Sequence, residues 1–176
     1  ALDKVLVSGF VKKGTNQILS ELPKGFKSGE YYMVFKTADQ NGNAFEVTGN
    51  LNEDITFISD NVLLVKELKT ADATTLTIAG DEYKAVLVEP GINVSKGGNV
   101  TITAIANKTG NKSEFKTAIA EEKILTSFSI LAPSGLIADG ERTVIPFEAL
   151  DQNGEKITDF VTLAKQETFN KLSLNV

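Results

Sequence analysis

A short pattern occurs twice in the sequence, and this repetition limits what the chain can fold into. Phe35-Lys-Thr-Ala-Asp-Gln-Asn-Gly42 matches Phe147-Glu-Ala-Leu-Asp-Gln-Asn-Gly154, and the two copies are 112 residues apart. Upstream, Lys4-Val-Leu-Val-Ser-Gly-Phe10 aligns with Lys123-Ile-Leu-Thr-Ser-Phe-Ser129 at a spacing of 119 residues. A period of this size belongs to a domain and not to a solenoid repeat. The chain is therefore predicted to hold tandem domains.

The repeat also sets the expected domain boundaries. The first domain is predicted to run from residue 1 to 121 and the second from 122 to 176. The two spacings differ by seven residues, and a loop at 15–29 of the first domain is the expected place for the difference. The second domain holds only the first half of the repeat, so we expect it to be truncated. The joint, Ala118–Ile124, has no Gly, Pro or Ser, which predicts a nearly continuous passage from one domain to the next.

Alternating apolar residues predict β-strands almost throughout, and hence an all-β fold. In residues 99–106, Val100, Ile102 and Ala104 share one face, which is expected to point to the core. Turn signals recur about every eight to twelve residues, as in antiparallel β-sandwiches. Residues 155–169 have mixed spacing, and a short helical turn at Phe160, Leu163 and Ala164 is the less favoured interpretation there. The other predicted strands are Val5–Val11, Tyr31–Thr37, Ile55–Ile58, Val62–Val65, Thr74–Ile78, Tyr83–Val88 and Ser113–Ala120, with a hairpin turn at Gly80-Asp81.

The composition argues against several classes of function. The chain has no Cys, no His and no Trp, so thiol chemistry and imidazole-based catalysis have no residues to work with. The net charge is -5 and the lysines are scattered, whereas nucleic-acid binding calls for a basic patch. No run approaches the roughly 20 apolar residues of a membrane helix, so no membrane insertion is expected. The prediction is a protein that is not an enzyme.

Three pairs of adjacent carboxylates are candidate catalytic groups. Glu53-Asp54, Asp81-Glu82 and Glu121-Glu122 are adjacent in the sequence. Neighbouring residues on a strand point to opposite faces, so such pairs do not form a glycosidase site. Solvated surface charge is the preferred interpretation, and no catalytic residue is assigned.

The repeated Asp-Gln-Asn-Gly motif has two interpretations. In the first, Asp39 and Asp151 accept backbone hydrogen bonds, and Asn-Gly supplies the positive φ angles of a hairpin turn. In the second, carboxylate and carbonyl oxygens gather a calcium ion. The spacing is that of half an EF-hand loop, but the closing Glu is absent. The turn is preferred, and the metal ligands remain unknown.

Two further features have plain structural explanations. Four Asn-x-Ser/Thr sequons begin at Asn93, Asn99, Asn107 and Asn111, and turn chemistry accounts for them. Tyr31-Tyr32 would suit stacking on a sugar ring, but the pair opens a predicted strand, so one ring is expected to face the core.

The sequence resembles the bacterial immunoglobulin-like domains that occur in tandem in S-layer proteins of Bacillus, Geobacillus and Lysinibacillus relatives. The resemblance is carried by the two Asp-Gln-Asn-Gly motifs, by the opening Lys123-Ile-Leu-Thr-Ser-Phe128, and by the hairpin with Gly98-Asn-Val-Thr-Ile-Thr-Ala104 and Asn107-Lys-Thr-Gly-Asn-Lys112. It extends over nearly the whole chain. Adhesins, phage tail proteins and multidomain glycosidases carry similar modules.

The resemblance implies tandem immunoglobulin-like antiparallel β-sandwich domains in an extracellular lattice on the bacterial cell wall. The partners would be other domains and copies of the same surface protein, with wall polymer bound by domains outside this chain. Calcium would be possible at domain junctions, near Glu121 and Glu122. A binding module of a surface adhesin, or a carbohydrate-binding accessory domain, is the alternative.

Overall fold

The computed structural model describes residues 1–121, 123–133, 135, 145–152, 154–158 and 163. The chain divides into two compact units, Ala1–Glu121 and Glu122–Val176, which we call unit 1 and unit 2. Antiparallel strands dominate the described residues, which confirms the all-β prediction. The immunoglobulin-like assignment of the two units stays a prediction.

Unit 1 consists of two sheets. The five-stranded sheet has the order β2-β1-β4-β7-β6, and the four-stranded sheet has the order β3-β9-β8-β5. One helical turn, α1, precedes β5. The elements are β1 Leu2–Lys12, β2 Ile18–Leu19, β3 Leu22–Pro23, β4 Tyr31–Asp39, α1 Leu51–Asp54, β5 Ile55–Ser59, β6 Val65–Ile78, β7 Asp81–Pro90, β8 Gly98–Ala106 and β9 Lys112–Ala120.

The segment between β1 and β4 crosses from one sheet to the other. Its strand β2 pairs with β1, and its strand β3 then pairs with the end of β9. Leu22 and Pro23 run in the same direction as Ile119 and Ala120, so this short pair is parallel. The purely antiparallel arrangement predicted from the sequence therefore has one exception, and its cause is this change of sheet within a single connection.

The core lies between the two sheets and is built from alternate residues of their facing strands. Phe35 of β4 meets Phe57 of β5 in an edge-to-face contact with ring centroids 5.3 Å apart, and Phe10 contacts Phe115 in the same way at 5.8 Å. The face predicted for residues 99–106 is confirmed, since Val100, Ile102 and Ala104 are buried. Burial of these side chains is the main source of stability.

Two local predictions were wrong. Residues 62–64 form a turn and not a strand, because Leu64 and Val65 both donate backbone hydrogen bonds to the carbonyl of Asn61 at 3.0 Å. The hairpin between β6 and β7 turns at Ala79-Gly80, one residue before the predicted position, and Asp81 already belongs to β7. Positive φ angles of 51° and 88° at these two residues give a type I′ turn.

The five-stranded sheet carries a second apolar cluster on the face opposite the core. Val34 of β4 and Ala85 of β7 are buried there, together with Val11 and Ile78. Tyr32, Leu76 and other partly buried side chains cover them. This face is therefore partly apolar instead of the polar surface that simple alternation predicts.

Unit 2 contains the antiparallel pair β10, Ser127–Ile130, and β11, Phe147–Leu150. Its described core consists of Leu125, Ala149, Ile157 and Leu163, with Phe128 packed against them. Leu163 has helical geometry, which agrees with the less favoured helical interpretation of this segment, whereas Phe160 and Ala164 lie outside the described residues. The same applies to Glu122 of the predicted calcium junction.

The strand register corrects the alignment of the repeat. In unit 1, Lys4 pairs with Ala38, and in unit 2, Ser127 pairs with Leu150. Because Ala38 and Leu150 are 112 residues apart, Lys4 corresponds to Ser127, at a spacing of 123 and not 119. The predicted match of Lys4 with Lys123 was therefore wrong by four residues. The second copy is eleven residues shorter than the first between the two landmarks, and not seven.

The joint between the units also differs from the prediction. Strand β9 ends at Ala120, and β10 begins at Ser127, so the two strands are not continuous. The backbone N–H of Thr126 donates to the carbonyl of Leu150 at 2.9 Å, and its hydroxyl donates to the carbonyl of Asp151 at 2.7 Å. Both bonds join residues of unit 2, so Thr126 is already part of that unit.

Candidate functional site

The carboxylate of Asp39 organises the first Asp-Gln-Asn-Gly turn. Its Oδ1 accepts the backbone N–H groups of Asn41 at 2.8 Å and Asn43 at 2.9 Å. The Gly42 N–H donates to the Asp39 carbonyl at 3.0 Å, and Gly42 has a φ of 82°, which glycine adopts without strain. These bonds produce a turn at the predicted place, but Gly42 alone has a positive φ, whereas the prediction gave a positive φ to Asn41 as well.

The second motif repeats this geometry. The Gly154 N–H donates to the Asp151 carbonyl at 3.0 Å, and Gly154 has a φ of 77°. The backbone N–H of Glu155, the counterpart of Asn43, donates to Asp151 Oδ1 at 2.9 Å. Asp151 is buried, so its carboxylate supports the turn from within the protein.

The equivalence continues past the turn. Isolated bridges join Ala38 to Ala44 and Leu150 to Lys156, both with the spacing of 112. Three core positions of unit 2, those of Leu125, Phe128 and Leu163, correspond to three buried residues of unit 1. The matching residues are Leu2, Val5 and Leu51. The motif is therefore part of a repeated half-domain with its own core.

The oxygens of Asp39 are already engaged by hydrogen-bond donors. The backbone N–H of Asn43 is the main cause that lowers the pKa of Asp39 below its usual 3.8, and the Asn43 side chain and the Asn41 N–H add to it. A calcium ion would have to compete with these donors for the carboxylate. Among the residues that the structure describes, no three acidic, His or Cys side chains gather as metal ligands.

The other acidic candidates lie apart from one another. At the end of unit 1, Glu121 forms an ion pair of 3.2 Å with Lys24. Asp54 pairs with Lys108 at 3.0 Å, and Asp81 pairs with Lys36 at 3.3 Å. Each of these three carboxylates therefore faces a lysine. Glu121 and Asp81 are exposed, as expected of surface charge, whereas the Asp54 side chain is only 12% exposed. Glu53 and Asp54 lie in α1. The argument that adjacent carboxylates point to opposite faces assumed that they lie on a strand, so it does not apply to this pair.

Two of the sequon asparagines have structural roles that sequence reasoning missed. Asn107 Nδ2 donates to the carbonyls of Asn52 at 3.3 Å and Glu53 at 3.1 Å, at the end of α1. Its Oδ1 accepts the Thr56 hydroxyl at 2.8 Å. The Asn-x-Thr spacing gave no sign of this role, because the partners are about fifty residues away.

The second of them, Asn111, fastens the N-terminal strand. Its side-chain Nδ2 donates to the carboxylate of Asp3, and the neighbouring Thr109 hydroxyl donates to the carbonyl of Leu2 at 3.3 Å. Asp3 is correspondingly buried. The loop 107–111 thus joins β1 to the β8–β9 hairpin across the end of the unit.

The opposite end of unit 1 is held by Glu89. Its carboxylate accepts the Ser28 hydroxyl at 2.5 Å and forms an ion pair of 2.9 Å with Lys69. The Ser28 hydroxyl, followed by Lys69, lowers the pKa of Glu89 below 4.5, and Glu89 raises the pKa of Lys69 above 10.5. These contacts tie the crossing segment to β6 and β7.

The tyrosines are divided between the two faces of the five-stranded sheet. Tyr31 packs in the core, edge-to-face with Phe26, as predicted for one ring of the pair. Tyr32 lies on the opposite face, where Tyr83 of β7 also contributes. The Lys36 ammonium is 4.7 Å from the centre of the Tyr83 ring. Two partly exposed aromatic rings therefore share the outer face.

Comparisons with known proteins add one structural similarity. No family model matches the sequence, and no curated protein matches it. Among solved structures, domains 4–9 of the surface layer protein SbsC match with a TM-score of 0.35 and 16% sequence identity. The match covers 89% of this chain and 22% of the other, so the chain spans about a fifth of that structure. None of the described helices is long and apolar enough to cross a membrane.

Proposed function

We propose that the chain is a structural module of a self-assembling bacterial surface protein of the S-layer type, and not an enzyme. The observation that carries the proposal is the repeated half-domain. Unit 2 reproduces the Asp turn of unit 1 and three of its core positions at constant spacings. Repetition of one domain along a chain builds an extended scaffold from a single stable design.

Bonds at both ends of unit 1 support a mechanical role. Asn111 and Thr109 fasten the first strand at one end, and Glu89 fastens the crossing segment at the other. A lattice requires modules that keep their shape when neighbours pull on them. Fixed loops serve that purpose, whereas an enzyme more often keeps mobile loops over its site.

In this proposal the protein acts outside the cell, on the bacterial surface. Its partners are other domains and other copies of the same protein, and domains outside this chain bind wall polymer. Calcium at junctions between domains is part of the proposal, with Glu121 as a candidate ligand. The acidic balance of the chain, -5, suits binding of divalent cations between modules.

A binding module of an adhesin, or a carbohydrate-binding accessory domain, is the second candidate. It is favoured by Tyr32 and Tyr83, which share the outer face of the five-stranded sheet. Aromatic rings on a sheet face offer a flat apolar surface with a polar edge. The Lys36 ammonium above Tyr83 reduces the room for a sugar ring at that position, which favours the structural role.

Electron microscopy and sedimentation of the 176-residue chain, with and without calcium, test the proposal. We expect concentration-dependent association into regular assemblies and no binding on a glycan array. A chain that stays monomeric and binds glycans, with binding lost in Tyr32→Ala, would support the second candidate instead. The control for Tyr32→Ala is Thr77→Ala, which changes an exposed residue and is expected to keep the fold. Phe26→Ala would not serve, because it removes a ring from the core.

A further inference from the structure

The edge strands of unit 1 differ greatly in length. Strands β2 and β3 have two residues each, and β5 has five, whereas the edge strand β6 has fourteen. A long edge presents a row of backbone N–H and C=O groups that can pair with another chain, and proteins that remain monomeric usually shorten or charge such edges. Strand β6 is therefore the exposed edge that calls for an explanation.

The two halves of β6 are protected to different degrees. The first half, Val65–Lys69, carries three charged residues, which discourage pairing. The second half, Thr74–Ile78, has neither charge nor proline, and three of its five residues are β-branched threonines. Thr74, Thr75 and Thr77 are exposed. Asp72 and the irregular pairing between Lys69 and Thr74 lie just before this segment, but within Thr74–Ile78 itself no charge, proline or bulge protects the edge.

The hairpin turn determines which backbone groups point outward. The type I′ turn at Ala79-Gly80 closes on Ile78 and Asp81, which exchange both backbone hydrogen bonds. Because hydrogen-bonded positions alternate, Leu76 and Thr74 also bond to β7. The N–H and C=O groups of Thr75 and Thr77 then face away from the sheet, toward the free edge.

We propose that this edge pairs with the same edge of a second copy of the chain, antiparallel, about a two-fold axis at Leu76. In that register Thr75 of each copy exchanges backbone hydrogen bonds with Thr77 of the other copy. The two Leu76 side chains meet between these two pairs. The two five-stranded sheets then form one continuous sheet. The inference rests on the proposed function and names a surface through which copies associate.

The pairing fits a second copy because the segment is self-complementary. Outward backbone groups at positions 75 and 77 are symmetric about Leu76, as a two-fold axis requires. Threonine faces threonine and leucine faces leucine, with no like charges opposite each other. Leu76 belongs to the apolar cluster on the outer face, so two such clusters would join across the axis and bury more apolar surface.

A single cysteine tests the axis. The natural chain has no Cys, so Leu76→Cys introduces the only thiol. Facing residues of a pair without hydrogen bonds have Cα atoms about 4.5 Å apart, within disulfide range. We expect Leu76→Cys to form a covalent dimer under mild oxidation. Ala71→Cys should not, although Ala71 is more exposed than Leu76, because it lies on the same strand away from the axis.

A proline tests the backbone bonds. Thr77→Pro removes an N–H that faces the free edge and spares the bonds to β7, so the unit should keep its fold. We expect self-association to weaken roughly tenfold, as loss of the symmetric pair of hydrogen bonds predicts. Thr77→Ala, which retains the N–H, should associate like the natural chain. The melting curve of each variant confirms that it is folded.

The outcomes separate this inference from the proposed function. If regular assemblies form but Leu76→Cys does not cross-link, or cross-links no better than Ala71→Cys, the edge pairing is wrong and the structural role stands. Unchanged association of a folded Thr77→Pro variant also overturns the pairing. If the edge dimer forms and nothing larger does, the pairing stands and the lattice role fails.

Discussion

Phe35 and Phe147 occupy the same position in the two copies of the repeat, 112 residues apart, but only one of them is covered. Phe35 has 0% of its surface exposed and contacts Phe57 of the opposite sheet, whereas Phe147 is 43% exposed and stacks on Phe128 with ring centroids 5.1 Å apart. Ile130, which pairs with Phe147, is also exposed. The corresponding strand position is thus covered by a complete core in unit 1 and lies on an open apolar face in unit 2.

This difference predicts unequal costs of truncation. Phe35→Ala should lower the free energy of unfolding of unit 1 by about 3–5 kcal/mol, as full burial implies, and Phe147→Ala should cost unit 2 roughly 1–2 kcal/mol. All three tyrosines lie in unit 1, so their fluorescence during urea denaturation reports that unit alone. Hydrogen exchange reports unit 2. We expect weaker protection at 147–150 than at 99–106, and equal protection would mean that unit 2 is as complete as unit 1.

A charge introduced at Ile102 tests the core of unit 1. Ile102→Asp should cost about 3 kcal/mol or more, because it buries an unpaired carboxylate between the sheets. Thr103→Asp places the same group on the other face of β8, and we expect it to lower the free energy of unfolding by about 1 kcal/mol or less. Thermal melts of both variants provide the comparison. A nearly unchanged melting temperature for Ile102→Asp would contradict the core assignment.

The turn at Ala79-Gly80 offers a stabilising change. Ala79 is the one described non-glycine residue with a positive φ, 51°, a conformation that asparagine tolerates better than alanine. Ala79→Asn should therefore raise the stability of unit 1 by about 0.5–1 kcal/mol. Ala73→Asn, exposed on the same strand, is the control and should give no gain. Equal effects of the two substitutions would show that the turn conformation is not the cause.

The interaction of Glu89 with Ser28 and Lys69 predicts a dependence of stability on pH. The pKa of Glu89 is lowered in the folded protein, so its contribution is present above the unfolded value of 4.5 and is lost as the pH falls through the lower folded value. Asp39 acts in the same direction, from 3.8 downward. In a plot of melting temperature against pH, Glu89→Gln should therefore reduce the fall in melting temperature on the acid side. Glu114→Gln, at an exposed position, should leave that curve unchanged.

Calcium binding by the isolated chain is expected to be weak. The Asp39 carboxylate is occupied by the N–H groups of Asn41 and Asn43, and ligands from a following domain would be needed to complete a site at Glu121. Titration calorimetry measures this directly. A site with a dissociation constant in the micromolar range or below, lost in Asp39→Ala, would show that the motif is a calcium loop and not a turn.

The sequence determined most of the strands of unit 1, the existence of the repeat and the turns at the two Asp-Gln-Asn-Gly motifs. Alternation placed Val100, Ile102 and Ala104 in the core, because side chains of a strand point to opposite faces in turn. The Asp-Gln-Asn-Gly motifs predicted their own turns, since Asp39 and Gly42 act on neighbouring backbone groups. In these turns all the interacting groups lie within a few residues of one another, so the local sequence is enough to predict them.

The tertiary structure alone decided how distant segments meet. The sequence pattern does not distinguish two alignments of Lys4 that differ by four residues, because an even shift preserves the alternation of a strand. Only the pairing with Ala38 fixes the register. The roles of Asn107 and Asn111 depend on partners about fifty and a hundred residues away. The free edge at Thr75 and Thr77 likewise exists only because β6 ends the sheet, and sheet order arises from packing, which no local pattern encodes.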